Sequence, residues 1–250
     1  MEKPKVAFFS FTCCEGCQLM VLSCEDELPD ILKLVNIVNF REAMTEKSDD
    51  YDIAFVEGSI SRKEEIKKIK KIRNNAKIVV ALGACSSTGG LNCLKNRFPM
   101  EDVKMSVYGK EAETNYNVND TIPARPIDSI IHVDYYIHGC PIPKKEFLNV
   151  FTSLLLGKRP DIPNQPVCVE CKMAGNICVF EKGMSCLGPV TRAGCDAICV
   201  SYGAMCWGCR GYVDNPNTQS HGETLKKYGL TVESVIRKFS LYGKCKPEGK

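Results

Sequence analysis

A chain of 250 residues fits one large domain, or one domain with an appendage. Apolar residues at 44% and charged residues at 25% are ordinary for a globular protein that buries a real core. A formal net charge of +3 argues against a nucleic-acid arm or a polybasic membrane anchor.

The start, MEKPKVAFFSFTCCEGC, has no twin arginine and no small-residue cleavage pattern, and no run approaches the ~18 apolar residues of a membrane span. A cytoplasmic protein without direct membrane insertion is expected. Disulfides are rare there, so sixteen cysteines suggest metal ligands first.

In chain order, Lys5 to Phe11 reads as a buried strand, followed by a helical pattern from Gln18 to about Leu34. Val35 to Phe40 and Asp52 to Val56 read as strands. Ser61 can cap a helix to about Asn75, with Ile66, Ile69 and Ile72 spaced by three along a lysine-rich solvated face. Lys77 to Leu82 is another strand, and 98–125 looks like an irregular polar insertion. Ile127 to Ile137 holds a further strand, and Pro143 to Leu156 a helix ended by Gly157.

Strands alternating with helices predict an α/β domain with a mostly parallel sheet. Near Pro160 the periodicity stops, and cysteine spacing takes over from hydrophobic alternation. A segment with so little apolar patterning would depend on bound metal for its stability.

Cys14 and Cys17 (CEGC), Cys85 (LGACS) and Cys140 (HGCP) each fall just past a predicted strand, at the sheet edge where α/β folds bind ligands. Single buried cysteines often act as small hydrophobes. Four thiols at one edge instead favour an iron–sulfur cluster or zinc. Gly16, Gly83 and Gly139 would let backbone amides approach such a site. Cys13, Cys24, Cys93 and Cys245 stand outside the pattern: Cys24 and Cys93 read as packing residues, and Cys245 as part of a disordered lysine-rich tail.

Eight more cysteines crowd into the 42 residues from Cys168 to Cys209. They divide as Cys168, Cys171, Cys178, Cys186 and as Cys195, Cys199, Cys206, Cys209, two four-ligand sites with no remainder. Zinc ribbons show similar pairs, so a zinc-stabilised binding module is an alternative. The basic residues here are only Lys172, Lys182 and Arg192, too few for a nucleic-acid ribbon.

These motifs, with VEGSI at 56–60, GACSSTGG at 83–90, HGCPIP at 138–143, CLGPVTRAGC at 186–195 and CWGC at 206–209, carry a resemblance. The chain resembles the small, electron-transferring subunit of cytoplasmic [NiFe] hydrogenases, of the F420-, NAD(P)- or heterodisulfide-reductase-linked type. The resemblance implies a flavodoxin-like domain over 1–160 and an irregular, ferredoxin-like iron–sulfur segment with a basic tail over 161–250.

It also implies three [4Fe–4S] clusters. The proximal one would be held by Cys14, Cys17, Cys85 and Cys140, the medial by Cys195, Cys199, Cys206 and Cys209, and the distal by Cys168, Cys171, Cys178 and Cys186. Periplasmic relatives carry His where Cys168 stands and commonly Pro where Cys199 stands. Cysteine at both positions here implies a full medial cubane. Glu57 is implied either as an iron ligand, as in some cytoplasmic relatives, or as a carboxylate supporting the ligands or a proton path.

By the same resemblance the Ni–Fe centre sits on a separate large subunit, and electrons pass to a further accepting subunit linked to flavin, F420, NAD(P) or heterodisulfide reductase. The loops SFTCCEGC, GACSSTGG and HGCPIP carry a single carboxylate between them, as expected of an obligate interface with the large subunit. The nearest rival is the related proximal-cluster subunit of respiratory complex I or of membrane-bound hydrogenases, which typically lacks the two C-terminal quartets.

Overall fold

The computed structural model describes residues 3–114, 120–242 and 245. The first part contains β1 (Lys5–Ser10), α1 (Gly16–Leu22), α2 (Leu28–Leu34), β2 (Asn36–Phe40), β3 (Ile53–Glu57), β4 (Ile60–Arg62), α3 (Lys63–Asn75), β5 (Ile78–Leu82) and α4 (Gly83–Thr88). It continues through α5 (Met100–Tyr108), α6 (Glu111–Thr114), β6 (Thr121–Arg125), β7 (Tyr135–Ile137) and α7 (Lys144–Leu155). Beyond lie α8 (Val167–Met173), α9 (Ile198–Ser201), α10 (Thr218–Lys227) and α11 (Val232–Phe239).

β1, β3 and β5 are near-continuous apolar runs because helices cover both faces of the sheet. The five-stranded sheet is parallel, in the order β2-β1-β3-β5-β7. With the separate antiparallel pair β4–β6 set aside, this is the flavodoxin-like order. On one face Phe8 stacks on Phe55 at 5.0 Å, and Phe55 packs against Phe147 and Phe151 of α7 at 5.7 and 5.8 Å. Truncating one such ring costs about 3–5 kcal/mol. On the other face Ile69 and Ile72 of α3 cover Ala54, Val56 and Val79.

The register positions the site. Ser10 pairs with Glu57, Glu57 with Leu82, and Leu82 with Ile137. One rung of the sheet therefore ends four strands together and launches their loops from a common edge.

Several local expectations are corrected. The helix expected over 18–34 is two, because the chain turns after Ser23 and restarts with Pro29 in the first turn of α2, where its missing N–H costs nothing. Ser61 is not a helix cap. It lies in β4 with its hydroxyl 2.5 Å from Thr12 Oγ1, and α3 begins at Lys63. The Glu65 carboxylate accepts from the Ser61 and Arg62 N–H groups at 2.8 and 3.0 Å. Residues 98–114 and 120–125 are not irregular, for they hold α5, α6 and β6, and 115–119 of the expected insertion lie outside the described residues. Met105 and Val107 face outward, which weakens the apolar pattern of α5.

The C-terminal part does hold helices beyond the cysteine pattern. Asn217 and Thr231 cap α10 and α11 by accepting from Ser220 and Ser234 N–H. The core there is small: Val167, Val179, Ala197 and Val200 with Cys171, Cys186 and Cys206, and a second patch of Leu187, Leu225 and Val235. Cys245, expected in the tail, is placed against the N-terminal part. It forms a disulfide with Cys93, and its N–H donates to Thr88 O at 3.0 Å. The rest of the expected basic tail lies outside the described residues.

Candidate metal centres

The loops leaving the shared rung bring Cys14, Cys17, Cys85 and Cys140 to one place: Cys85 faces Cys140 and Cys14, and Cys17 faces Cys85. Ala84 N–H donates to Gly139 O at 2.7 Å and ties two of the loops together. Gly83 has φ +83°, and a Cβ there would lie 2.3 Å from Cys17 Sγ, so only glycine admits the thiol. Gly139 has another reason: a Cβ would strike the Pro141 carbonyl at 2.4 Å. Cys13 Sγ turns to Phe11 O at 3.5 Å, although it stands near Cys85.

Glu57 is fully buried at the end of β3. Its carboxylate accepts from Cys17 N–H at 3.1 Å, Gln18 N–H at 3.1 Å and Gln18 Nε2 at 3.3 Å. Both oxygens are thus committed to α1, and the carboxylate fixes the CEGC loop from behind.

The second quartet, Cys195, Cys199, Cys206 and Cys209, lines one cavity of about 150 Å³. Trp207, Arg210, Tyr242 and Cys140 line it too. Glu170, which sequence reasoning did not single out, holds this loop as Glu57 holds the first. It accepts from Gly194 N–H at 2.6 Å and from Cys195 and Ala197 N–H at 3.3 Å each. Asp196 and Ala197 adopt the left-handed conformation, with φ +54° and +50°, which aims those amides at the carboxylate.

In the third group Cys168 faces Cys186, Cys171 and Cys178. A Cβ on Gly188 would sit 3.3 and 3.4 Å from the sulfurs of Cys168 and Cys186, which accounts for the glycine of CLGPV.

The three groups also lie in series. Cys140 shares the cavity lining of the second quartet with Cys209, and Cys206 N–H donates to Cys186 Sγ at 3.3 Å. Arg210 braces the first junction: its buried guanidinium donates to Ala193 O at 2.7 Å and His138 O at 2.5 Å, and pairs with Glu146.

Burial pushes the Cys85 thiol up to about 12, with Cys140 and Glu57 adding to it. Burial likewise holds Cys206 near 12 and Cys168 and Cys209 near 11, so none is a thiolate by itself at neutral pH. Bound iron would supply the missing positive charge. Among the described residues no three His, Cys, Asp or Glu side chains converge tightly enough for a single ion. Four thiols in each group are a donor set that fits an iron–sulfur cluster.

The surface expected to face a large partner is smaller than the three loops suggest. Cys14, Cys140 and Pro141 are exposed, but Ser86 to Gly90 are buried within the chain. No helix among the described residues is long and apolar enough to cross a membrane.

The family described as NADH ubiquinone oxidoreductase, 20 Kd subunit, matches residues 14–154. The chain is 33% identical over 243 residues to the sulfhydrogenase 2 subunit delta of Pyrococcus furiosus, covering 96% of this chain and 99% of that one. It is also 33% identical to a chain of the F420-non-reducing hydrogenase vhu of Methanocaldococcus jannaschii, covering 84% of this chain and 82% of that one. Among solved structures it is similar to a chain of the NAD+-reducing [NiFe]-hydrogenase in the H2-reduced state. That likeness has 26% identity and a TM-score of 0.58, over 65% of this chain and 96% of the other. A chain of the [NiFeSe] hydrogenase from Desulfovibrio vulgaris Hildenborough shares the fold at 18% identity, with a TM-score of 0.54, over 88% and 97%.

Proposed function

We infer the function of this chain from its kinship: it belongs to the NADH ubiquinone oxidoreductase, 20 Kd subunit family, and its likeness to hydrogenase subunits runs over nearly its whole length. It serves as the electron-relay small subunit of a [NiFe] hydrogenase, an oxidoreductase acting on H2 whose Ni–Fe centre is on a separate large subunit. The observation that carries this reading is the serial placement of the three cysteine groups, with Cys140 in the lining of the second group's cavity and Cys206 N–H bonded to Cys186 Sγ.

Three [4Fe–4S] clusters, when bound, supply three one-electron sites in a row. Cys14, Cys17, Cys85 and Cys140 would hold the proximal one, Cys195, Cys199, Cys206 and Cys209 the medial, and Cys168, Cys171, Cys178 and Cys186 the distal. Glu57 acts as a support rather than a ligand, since both its oxygens already accept N–H donors. Glu170 does the same for the medial loop. The large subunit would cover the edge carrying exposed Cys14 and Cys140. A further accepting subunit, linked to flavin, F420, NAD(P) or heterodisulfide reductase, would meet the distal end, in the cytoplasm.

The complex I rival is disfavoured because the family match ends at residue 154, before both C-terminal quartets. Metal and sulfide analysis of the anaerobically purified complex tests the proposal. About twelve iron with matching sulfide supports three cubanes. Two or three zinc without sulfide would refute them.

A further inference from the structure

We propose that Glu170, although it stands between two cysteines of the third group, is a positioning residue for the second. Its carboxylate holds the turn that presents Cys195 and Cys199, and so sets the medial potential from within the distal motif. The proposal rests on the reading of the cysteine groups as cluster ligands.

Glu170 lies on α8 between Cys168 and Cys171, within CVEC. Its side chain nevertheless leaves its own group. Oε1 accepts from Gly194 N–H at 2.6 Å, and Oε2 accepts from Cys195 and Ala197 N–H at 3.3 Å each.

The turn it grips is one the chain would not readily keep by itself. Asp196 and Ala197 are successive non-glycine residues at φ +54° and +50°, where a Cβ crowds the backbone. Ile198 N–H closes this turn on Cys195 O at 3.2 Å. Ala197 also starts α9, and its carbonyl accepts from Val200 and Ser201 N–H at 3.0 and 3.1 Å. Holding these amides therefore fixes Cys195 directly, and Cys199 through the first turn of its helix. Val167 and Cys171 of α8 share one buried cluster with Ala197 and Val200, so helix and turn are packed as one body.

Two consequences follow. Amides committed to the carboxylate are withheld from ligand sulfurs, and the carboxylate adds negative charge beside the second group. Both disfavour the more negative, reduced state of a centre bound there and hold its potential low.

The test is a potentiometric titration of the loaded complex followed by electron paramagnetic resonance. The medial signal is defined as the one lost in Cys209→Ala, and the distal signal as the one lost in Cys178→Ala. Glu170→Gln keeps the shape but offers one oxygen for three amides. Its medial midpoint should shift positive while the distal midpoint moves less, and selective loss of the medial signal would support the proposal equally. Glu170→Asp keeps the charge but falls one methylene short of the turn, so its medial midpoint should also move positive. An unchanged medial midpoint in Glu170→Gln overturns the proposal, as does a distal shift of equal or greater size. Wild-type behaviour of Glu170→Asp would reduce the effect to charge alone, and loss of both signals in Glu170→Gln would make the residue merely structural. Either result overturns the positioning role. If wild type has no signal sensitive to Cys209→Ala, the cluster reading itself fails, and this proposal with it.

Discussion

Arg210 and Glu146 hold the backbone of one residue between them: the His138 N–H donates to Glu146 Oε1 at 3.2 Å, and the His138 carbonyl accepts from Arg210 Nη1 at 2.5 Å. Arg210 directly follows Cys209, and His138 lies two residues before Cys140. The pair thus sets the separation of the proximal and medial groups from behind. Gly194 is part of the arrangement, since a Cβ there would strike both the guanidinium and the Glu146 carboxylate.

Glu146→Ala leaves the Arg210 charge buried without its partner, a loss of about 3–5 kcal/mol. Replacing both residues by methionine should cost much less, because neither charge then needs compensation. Anaerobic denaturant titration of the loaded protein checks this. Equal losses in the single and double variants would show that the pair is not coupled.

Cys186→Ala and Cys195→Ala should damage different centres, although eight residues separate them in sequence. Cys186 faces the Cys168 group, while Cys195 lines the cavity of Cys199, Cys206 and Cys209. Each variant should lose up to about four iron, with different resonance signals disappearing. Identical spectra from the two would refute the grouping.

The strands were readable because parallel strands covered on both faces must be apolar throughout, as in KVAFFS and IVVAL. Cysteine spacing then suggested the two quartets of the C-terminal part. Other features left weaker marks. α10 and α11 announce themselves by Asn217 and Thr231 caps, but only Leu225 and Val235 are buried on them in the apolar patch, too little for a clear period. Glu170 and Glu146 look like ordinary helix-surface acids, since nothing local reveals that distant loops aim their amides at them. The Cys93–Cys245 pairing spans 152 residues and has no local signature at all.

Iron removal should loosen the C-terminal part first. Three of the seven residues in its main buried cluster, Cys171, Cys186 and Cys206, are assigned as ligands, so the apolar remainder is small. The sheet domain keeps two full cores of its own. Limited proteolysis after chelation should cut beyond residue 160 before it cuts the sheet. An unchanged digestion pattern would contradict this.

Asp52 contributes a pH dependence at the other end of the sheet. The Lys5 backbone N–H at 2.9 Å, and then Lys77, hold its carboxyl below the usual range. A depressed carboxylate stabilises the fold fully above its unfolded value near 3.9, and that stability is lost as pH falls through the folded value. Asp52→Asn should therefore be less stable than wild type at pH 7, with the difference shrinking below about pH 4. Acid titration followed by far-ultraviolet dichroism measures this, and a constant difference across the range would count against it.

The proximal edge should carry the large subunit, and the structure moves the test of that idea to a new residue. Ser87, in the GACSSTGG loop, is buried and donates its hydroxyl to Gly83 O at 2.9 Å, so a charge there would damage the fold before any interface. Leu91 is exposed instead. It adjoins Gly90, where a Cβ would lie 3.2 Å from Cys85 Sγ, so it marks the outer surface beside the proximal group. An exposed leucine next to nearly uncharged loops is what the core of a permanent interface presents before assembly. Leu91→Glu should leave iron content and melting of the free chain near wild type while abolishing recovery of the large subunit in a pull-down. Lys70→Glu, on the solvated face of α3, should leave recovery unchanged. Equal recovery with both variants would place the large subunit elsewhere.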